Sequence, residues 1–187
     1  MYNAKRMARV GVLAALAALL YLIPGIPVIP PIYKLDFSTV PVLVAGLISG
    51  PIDALIVLLI KDLTGLLHSS SMGVGELADF LCSAAMVLSA WWLFKKKLPG
   101  LPVAVLSTLA MGLMGAVINY FIMIPFYVKV MSFPLDKIIS LVSATVAWVK
   151  DLPSLIAFAT VPFNLLKGAV ICALAYPIYR AIKKYIR

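Results

Sequence analysis

The sequence predicts an all-α integral membrane protein, a bundle of six spanning helices forming one domain over residues 1–187. Three observations lead there. Of 187 residues, 64% are hydrophobic and only 12% charged. Soluble domains average about 45–50% and about 25%, so polar side chains cannot cover this surface. Uncharged runs such as 10–32 and 98–128 exceed the roughly 20 apolar residues that cross a bilayer as a helix. The lysines and arginines gather at the ends of apolar segments.

Lys5, Arg6 and Arg9 lead into the first apolar run, and a span is drawn over 5–23. The arrangement mimics a secretion signal, but the rest of the chain is equally membrane-like, so an uncleaved first helix is expected. Ala14 and Ala18 stand four apart in it, with Gly11 and Ala15 on an adjoining face. Small residues at that spacing let two helices approach closely, which suits a partner-docking face. The next segment, "PGIPVIPPIYKLDFS", is too rich in proline to be helical throughout.

Residues 37–49 are short for a pass and could instead begin one long helix ending at 67. Basic residues decide, because cytoplasmic loops carry the Lys/Arg excess. With six passes and both termini cytoplasmic, ten of the sixteen fall inside: Lys5, Arg6, Arg9, Lys95, Lys96, Lys97, Arg180, Lys183, Lys184 and Arg187. Lys34, Lys129, Lys137 and Lys150 fall outside, and Lys61 and Lys167 lie within or near spans. Five passes would put the triple lysine and the basic C-terminus outside. "SGP" at 49–51 is then a tight turn between passes at 37–49 and 51–67.

Spans at 75–94, 103–124 and 160–180 complete the set. Before the last, "PLDKIISLVSATVAWVKDL" carries apolar residues at 138, 141, 142 and 149, the pattern of a short amphipathic helix lying on the membrane surface. The structured loops therefore face outward.

The formal net charge of +9 reads as juxtamembrane anchoring, with membrane lipid and not nucleic acid as the partner. Cys82 and Cys172 sit in apolar runs as free thiols. The chain has no Walker-type phosphate loop, no HExxH and no GxSxG. His68 stands alone, and no metal or cofactor site is expected. The chain is therefore expected to have no ATPase activity of its own.

Polar groups inside spans are the functional candidates. Asn164 and Lys167 share one helix face in "VPFNLLKGAV". Pro162 either starts that helix or kinks it. Lys167 stands about 18–20 Å from the inner basic end, a long way for snorkelling. Asn119, in "GAVINYFIMIP", is either interhelical glue or a ligand contact, and Tyr120 beside it is interfacial or ligand-facing. Glu76 and Asp79 open the fourth span, where the helix dipole favours acids. Glu76 is the better candidate to meet Lys167 or a ligand, and Asp79 the weaker. Lys61 and Asp62 read as anchored at the interface.

Four pieces, "KLDFSTVP", "GVGELADF", "NYF" and "VPFNLLKG", together resemble the riboflavin-binding S components of energy-coupling factor (ECF) transporters, over nearly the whole chain. The resemblance implies a vitamin site open to the outside of a prokaryotic plasma membrane, closed by the first loop. Lys34, Leu35, Asp36 and Phe37 then belong to the lid, and Glu76, Asn119, Asn164 and Lys167 meet the ligand. Phe37, Tyr120, Phe126 or Phe163 would supply aromatic walls. The face of Ala14 and Ala18, flanked by Gly11 and Ala15, would dock on a transmembrane coupling subunit served by two ATPases. The family's usual DFSD reads "DFST" here, so Thr39 replaces a carboxylate.

Riboflavin suits such a site chemically, being a planar ring system with one hydrogen-bonding edge and no phosphate. Asparagine can both donate to and accept from that edge. An S component for thiamine, folate or pantothenate is the nearest alternative. A lipid-directed membrane enzyme with Glu76 and Asp79 on a metal is more remote.

Overall fold

The computed structural model describes residues 4–30 and 32–185; Arg187, counted above with the inner basic residues, lies outside them. Seven helices and one hairpin make up the described residues. They are α1 (Ala4–Leu22), β1 (Ile26–Ile29), β2 (Tyr33–Leu35), α2 (Thr39–Ser49), α3 (Pro51–Leu66) and α4 (Val74–Lys95). α5 (Gly100–Lys129), α6 (Leu135–Ser143) and α7 (Leu152–Lys183) follow.

By length and composition α4, α5 and α7 can each cross a membrane. α1 and α3 have 19 and 16 residues and carry three charged residues each. α2 has 11 residues, about 17 Å at the helical rise, and is apolar all round. A helix with no polar face belongs in the interior. Residues 39–46 of α2 are all buried, and it packs against α1, α3, α4 and α7.

The break expected at 49–51 is present. Gly50 takes φ +104°, a conformation only glycine adopts without strain, and Pro51 sits at the first position of α3.

In hydrocarbon no hydrophobic force draws helices together, so close packing over small residues must do it. The Cβ position of Gly168 in α7 would lie 3.3 Å from the Thr108 Cα of α5, and that of Gly115 in α5 lies 2.5 Å from the Asn164 amide nitrogen of α7. α5 and α7 therefore touch along the half of the bundle nearer the hairpin.

Both long helices extend beyond the spans drawn at 103–124 and 160–180, and each contains a π-helical turn, at Asn119–Met123 and Ile156–Thr160. Pro125 and Pro162 follow these turns by two residues. Proline lacks an N–H, and its ring collides with the carbonyl four residues back. A widened turn absorbs both defects without ending the helix. Pro162 thus neither starts a helix nor breaks one.

The amphipathic segment is helical only over Leu135–Ser143. Its apolar face does not lie open to a membrane surface: Ile138, Val142 and Val149 are buried in a cluster with Ile29, Tyr33, Leu155 and Phe163. The hairpin offers that face a closer apolar partner.

Candidate functional site

The π turn of α7 ends at Thr160, whose carbonyl accepts the Asn164 side-chain amide at 2.9 Å. The π turn of α5 begins at Asn119, whose amide donates to the Gly115 carbonyl at 2.8 Å. Gly115 is also the residue against which Asn164 rests. The missing side chain at 115 makes room for one asparagine, and its carbonyl holds the other. Unusual turns of this kind recur at functional sites.

One turn below Asn164, Lys167 Nζ donates to Asp36 Oδ2 and to Asp79 Oδ1, both at 2.7 Å. Asp79 also accepts from Lys61 Nζ. The Lys61 ammonium contacts Asp62 Oδ1 at 2.6 Å and lies 4.7 Å from the Tyr21 ring centroid. Two ammoniums and three carboxylates thus join α3, α4, α7 and the segment after the hairpin. Lys61 is wholly buried. Charges this deep are costly unless paired, and here each ammonium meets two carboxylates.

The hairpin is latched at a second point. Tyr33 Oη and Thr160 Oγ1 are 2.6 Å apart, and the Tyr33 ring lies 5.0 Å from Phe163. Burial pushes the Tyr33 hydroxyl up to about 12, so it stays neutral over the working pH range. Burial works against ionisation of Asp36 too, but the Lys167 and Lys61 ammoniums prevail and hold its carboxyl below the ordinary range. Asp36 also caps the next turn, accepting from the Ser38 amide at 3.0 Å.

Several residues lie where the sequence did not put them. Asp79, and not Glu76, pairs with Lys167. Glu76 is buried and accepts from Ser69 and Ser71 at 2.8 and 3.1 Å, and these hydroxyls in turn accept the Gly73 and Gly75 amides at the start of α4. Lys61 and Asp62 are not at an interface but inside the ionic cluster. A lysine and an aspartate side by side usually mark a solvated surface, so their pairing with α4 gave no sequence signal.

Of the four residues expected in a lid, Leu35 is buried, Asp36 and Phe37 are half-buried and Lys34 is exposed. Asn119 is half-buried. Tyr120 is exposed and stacks edge-on against Phe121 at 4.9 Å. Thr39, where the DFSD carboxylate would stand, is fully buried and meets the Ser83 hydroxyl of α4 at 3.2 Å. On α1, Ala14 is buried in the core and Ala18 half-buried, whereas Gly11 and Ala15 are exposed.

Tyr33 and Thr160 did not stand out in the sequence. A tyrosine at the tip of a proline-rich loop and a threonine two residues before a proline were the only signals.

A cavity of about 740 Å³ lies elsewhere, between α5 and α7 over a floor from α2 and α4. None of the ionic residues lines it. The candidate site therefore follows the convergent polar groups at the hairpin and not this volume.

The family of ECF transporter substrate-specific components matches residues 5–179. The riboflavin transporter RibU of Staphylococcus aureus (strain TCH60) is 31% identical over 100% of this chain and 95% of its own length. The riboflavin transporter FmnP of Bacillus subtilis (strain 168) is 32% identical over 82% and 78%. The solved S component of a bacterial ECF transporter superposes with a TM-score of 0.74 at 29% identity, covering 98% of each chain.

Proposed function

The chain belongs to the family of ECF transporter substrate-specific components, and on that premise we propose that it captures riboflavin and delivers it to a separate ATP-driven coupling module. Two relatives matched over most of this chain are riboflavin transporters. The observation that carries the site assignment is the convergence of the hairpin segment, α4 and α7 on Lys167.

An ammonium has three donors, and two of those on Lys167 meet carboxylates. The third is available to a carbonyl or hydroxyl oxygen of the ligand. Asn164 and Asn119, held by the two π turns, offer amides to the ring's hydrogen-bonding edge, and Phe163 and Tyr33 supply aromatic surface. Glu76, beside the cluster, accepts from a ligand hydroxyl if a serine yields it.

The hairpin acts as the lid. Its two latches, Asp36 on Lys167 and Tyr33 on Thr160, both close onto α7, so release requires them to part together. The chain forms one membrane domain over 1–187, with α1–α5 and α7 as six passes and α6 beside the lid. Both termini face the cytoplasm of a prokaryotic cell, because the triple lysine and the basic C-terminus then lie inside. Riboflavin is cargo, with no cofactor of the protein's own. ATP hydrolysis belongs to two partner ATPases acting through a transmembrane coupling subunit. α1 offers that subunit the exposed Gly11 and Ala15.

Titration of the purified protein with riboflavin tests this by quenching of flavin fluorescence. Saturable quenching is expected, weakened about tenfold or more by Asn164→Ala or Lys167→Ala, each contact contributing roughly 1.4 kcal/mol. Wild-type protein that leaves flavin fluorescence unchanged rejects the ligand. Unaltered affinity in both variants rejects the site.

A further inference from the structure

The cavity between α5 and α7 has a shape set by two kinds of helix contact. At Gly168 the backbones touch, with a Cβ there only 3.3 Å from Thr108 Cα. Toward the other end the Tyr176 ring stands against Gly100, where a Cβ would lie 2.8 Å from it. One end is closed backbone to backbone, and the other is propped apart by an aromatic ring. Between them stand the small side chains of Ala104, Ala169 and Ala173, and about 740 Å³ stays unfilled.

The walls ask for an apolar occupant. Ser107, one of the few polar groups lining the space, already donates to the Val103 carbonyl at 2.7 Å. On α7 the lining runs from Leu165 to Pro177, about 18 Å of helix, a length that one extended hydrocarbon chain covers.

The rim at Gly100 and Tyr176 adjoins the basic end of the bundle. The Arg180 guanidinium carbon lies 6.0 Å from the Tyr176 ring centroid, and Lys97 precedes Gly100 by three residues. Both side chains are exposed. Residues 80–135 and 152–187 contain no aspartate or glutamate, so no carboxylate on these segments competes for the two cations. An apolar slot ending at two exposed basic groups matches an acidic headgroup above an acyl chain.

We propose that this groove is a binding site for one anionic phospholipid, its acyl chain between α5 and α7 and its phosphate at Arg180 and Lys97. Native mass spectrometry of the full chain with dioleoylphosphatidylglycerol or dioleoylphosphatidylcholine tests it. One phosphatidylglycerol is expected to remain bound under conditions that strip phosphatidylcholine. Arg180→Gln with Lys97→Gln should lower that retention roughly tenfold or more, the scale for two basic groups at a lipid surface. Ala173→Phe, checked for an unchanged size-exclusion profile, should abolish it by filling the slot. Equal retention of the two lipids overturns the proposal. So does undiminished phosphatidylglycerol in both variants, or a photocrosslinker at position 173 that captures protein instead of phospholipid.

Discussion

Lys167 is held by Asp36 and Asp79, so at the scale of one residue the question is what each partner contributes. Removing one member of a buried ion pair leaves an uncompensated charge, at a cost of about 3–5 kcal/mol. Asp79 faces both Lys167 and Lys61, so Asp79→Ala should lower the unfolding free energy by an amount of that order. Glu76→Gln should cost no more than about 1 kcal/mol, because a glutamine oxygen still accepts from Ser69 and Ser71. Equal effects of the two changes would contradict the separate roles assigned here. Asp36 adds a pH dependence. Its carboxyl is held below the ordinary range by the ammoniums facing it, so its contribution to lid closure is complete above the ordinary carboxylate pKa. That contribution is lost only as pH falls through the lowered value. With Cys82 and Cys172 replaced, spin labels at Lys34→Cys and Ala144→Cys should report one distance from pH 7 to pH 5, widening only below about pH 4. Widening between pH 7 and pH 5 would show that another group governs the latch.

In the proposed site the hairpin is the element whose contacts should most directly set residence time. Tyr33→Phe keeps the ring against Phe163 but removes the hydroxyl bonded to Thr160. The loss is about 1 kcal/mol, or roughly fivefold. It should appear in stopped-flow traces as faster flavin release with little change in association, since contact changes act mainly on dissociation. A slower association with unchanged release would mean the bond forms before the ligand enters. At this scale the sequence was partly legible. The break at Gly50 and the last two spans could be read from glycine, proline and apolar runs, because those signals are local. The π turns could not: Pro125 and Pro162 mark them, but a proline alone does not say whether a helix ends, kinks or widens. The surface helix was visible in its periodicity, yet what covers its apolar face depends on a hairpin more than a hundred residues away. The ionic cluster was the least legible. Which acid meets Lys167 depends on how α4 sits along its axis, because Glu76 and Asp79, three residues apart, share one side of the helix one turn from each other.

For the whole molecule, delivery of a vitamin requires two separable surfaces, one that closes on the ligand and one that meets the coupling subunit. The candidate ligand site gathers at the hairpin end of the bundle. The small residues of α1 divide between two environments that spacing alone could not distinguish. Ala14 is 3% exposed and packs in the central core beside α2 and α3. Gly11 is exposed and nothing lies within 4 Å of a Cβ placed there, and Ala15 one turn on is also exposed. Close approach of a partner helix needs small residues that face outward, so the docking surface should centre on Gly11 and Ala15. Gly11→Leu with Ala15→Leu should leave flavin affinity and thermal stability near wild type, because both side chains point away from the bundle. Co-purification with the coupling module, and uptake in cells, should fall sharply. Ala14→Leu should act differently, lowering thermal stability by about 1–3 kcal/mol through overpacking, with assembly reduced only as far as folded protein is lost. Full assembly of the double variant would move the docking surface off α1. Loss of assembly in Ala14→Leu without loss of stability would return it to the buried face and require α1 to turn about its axis on docking.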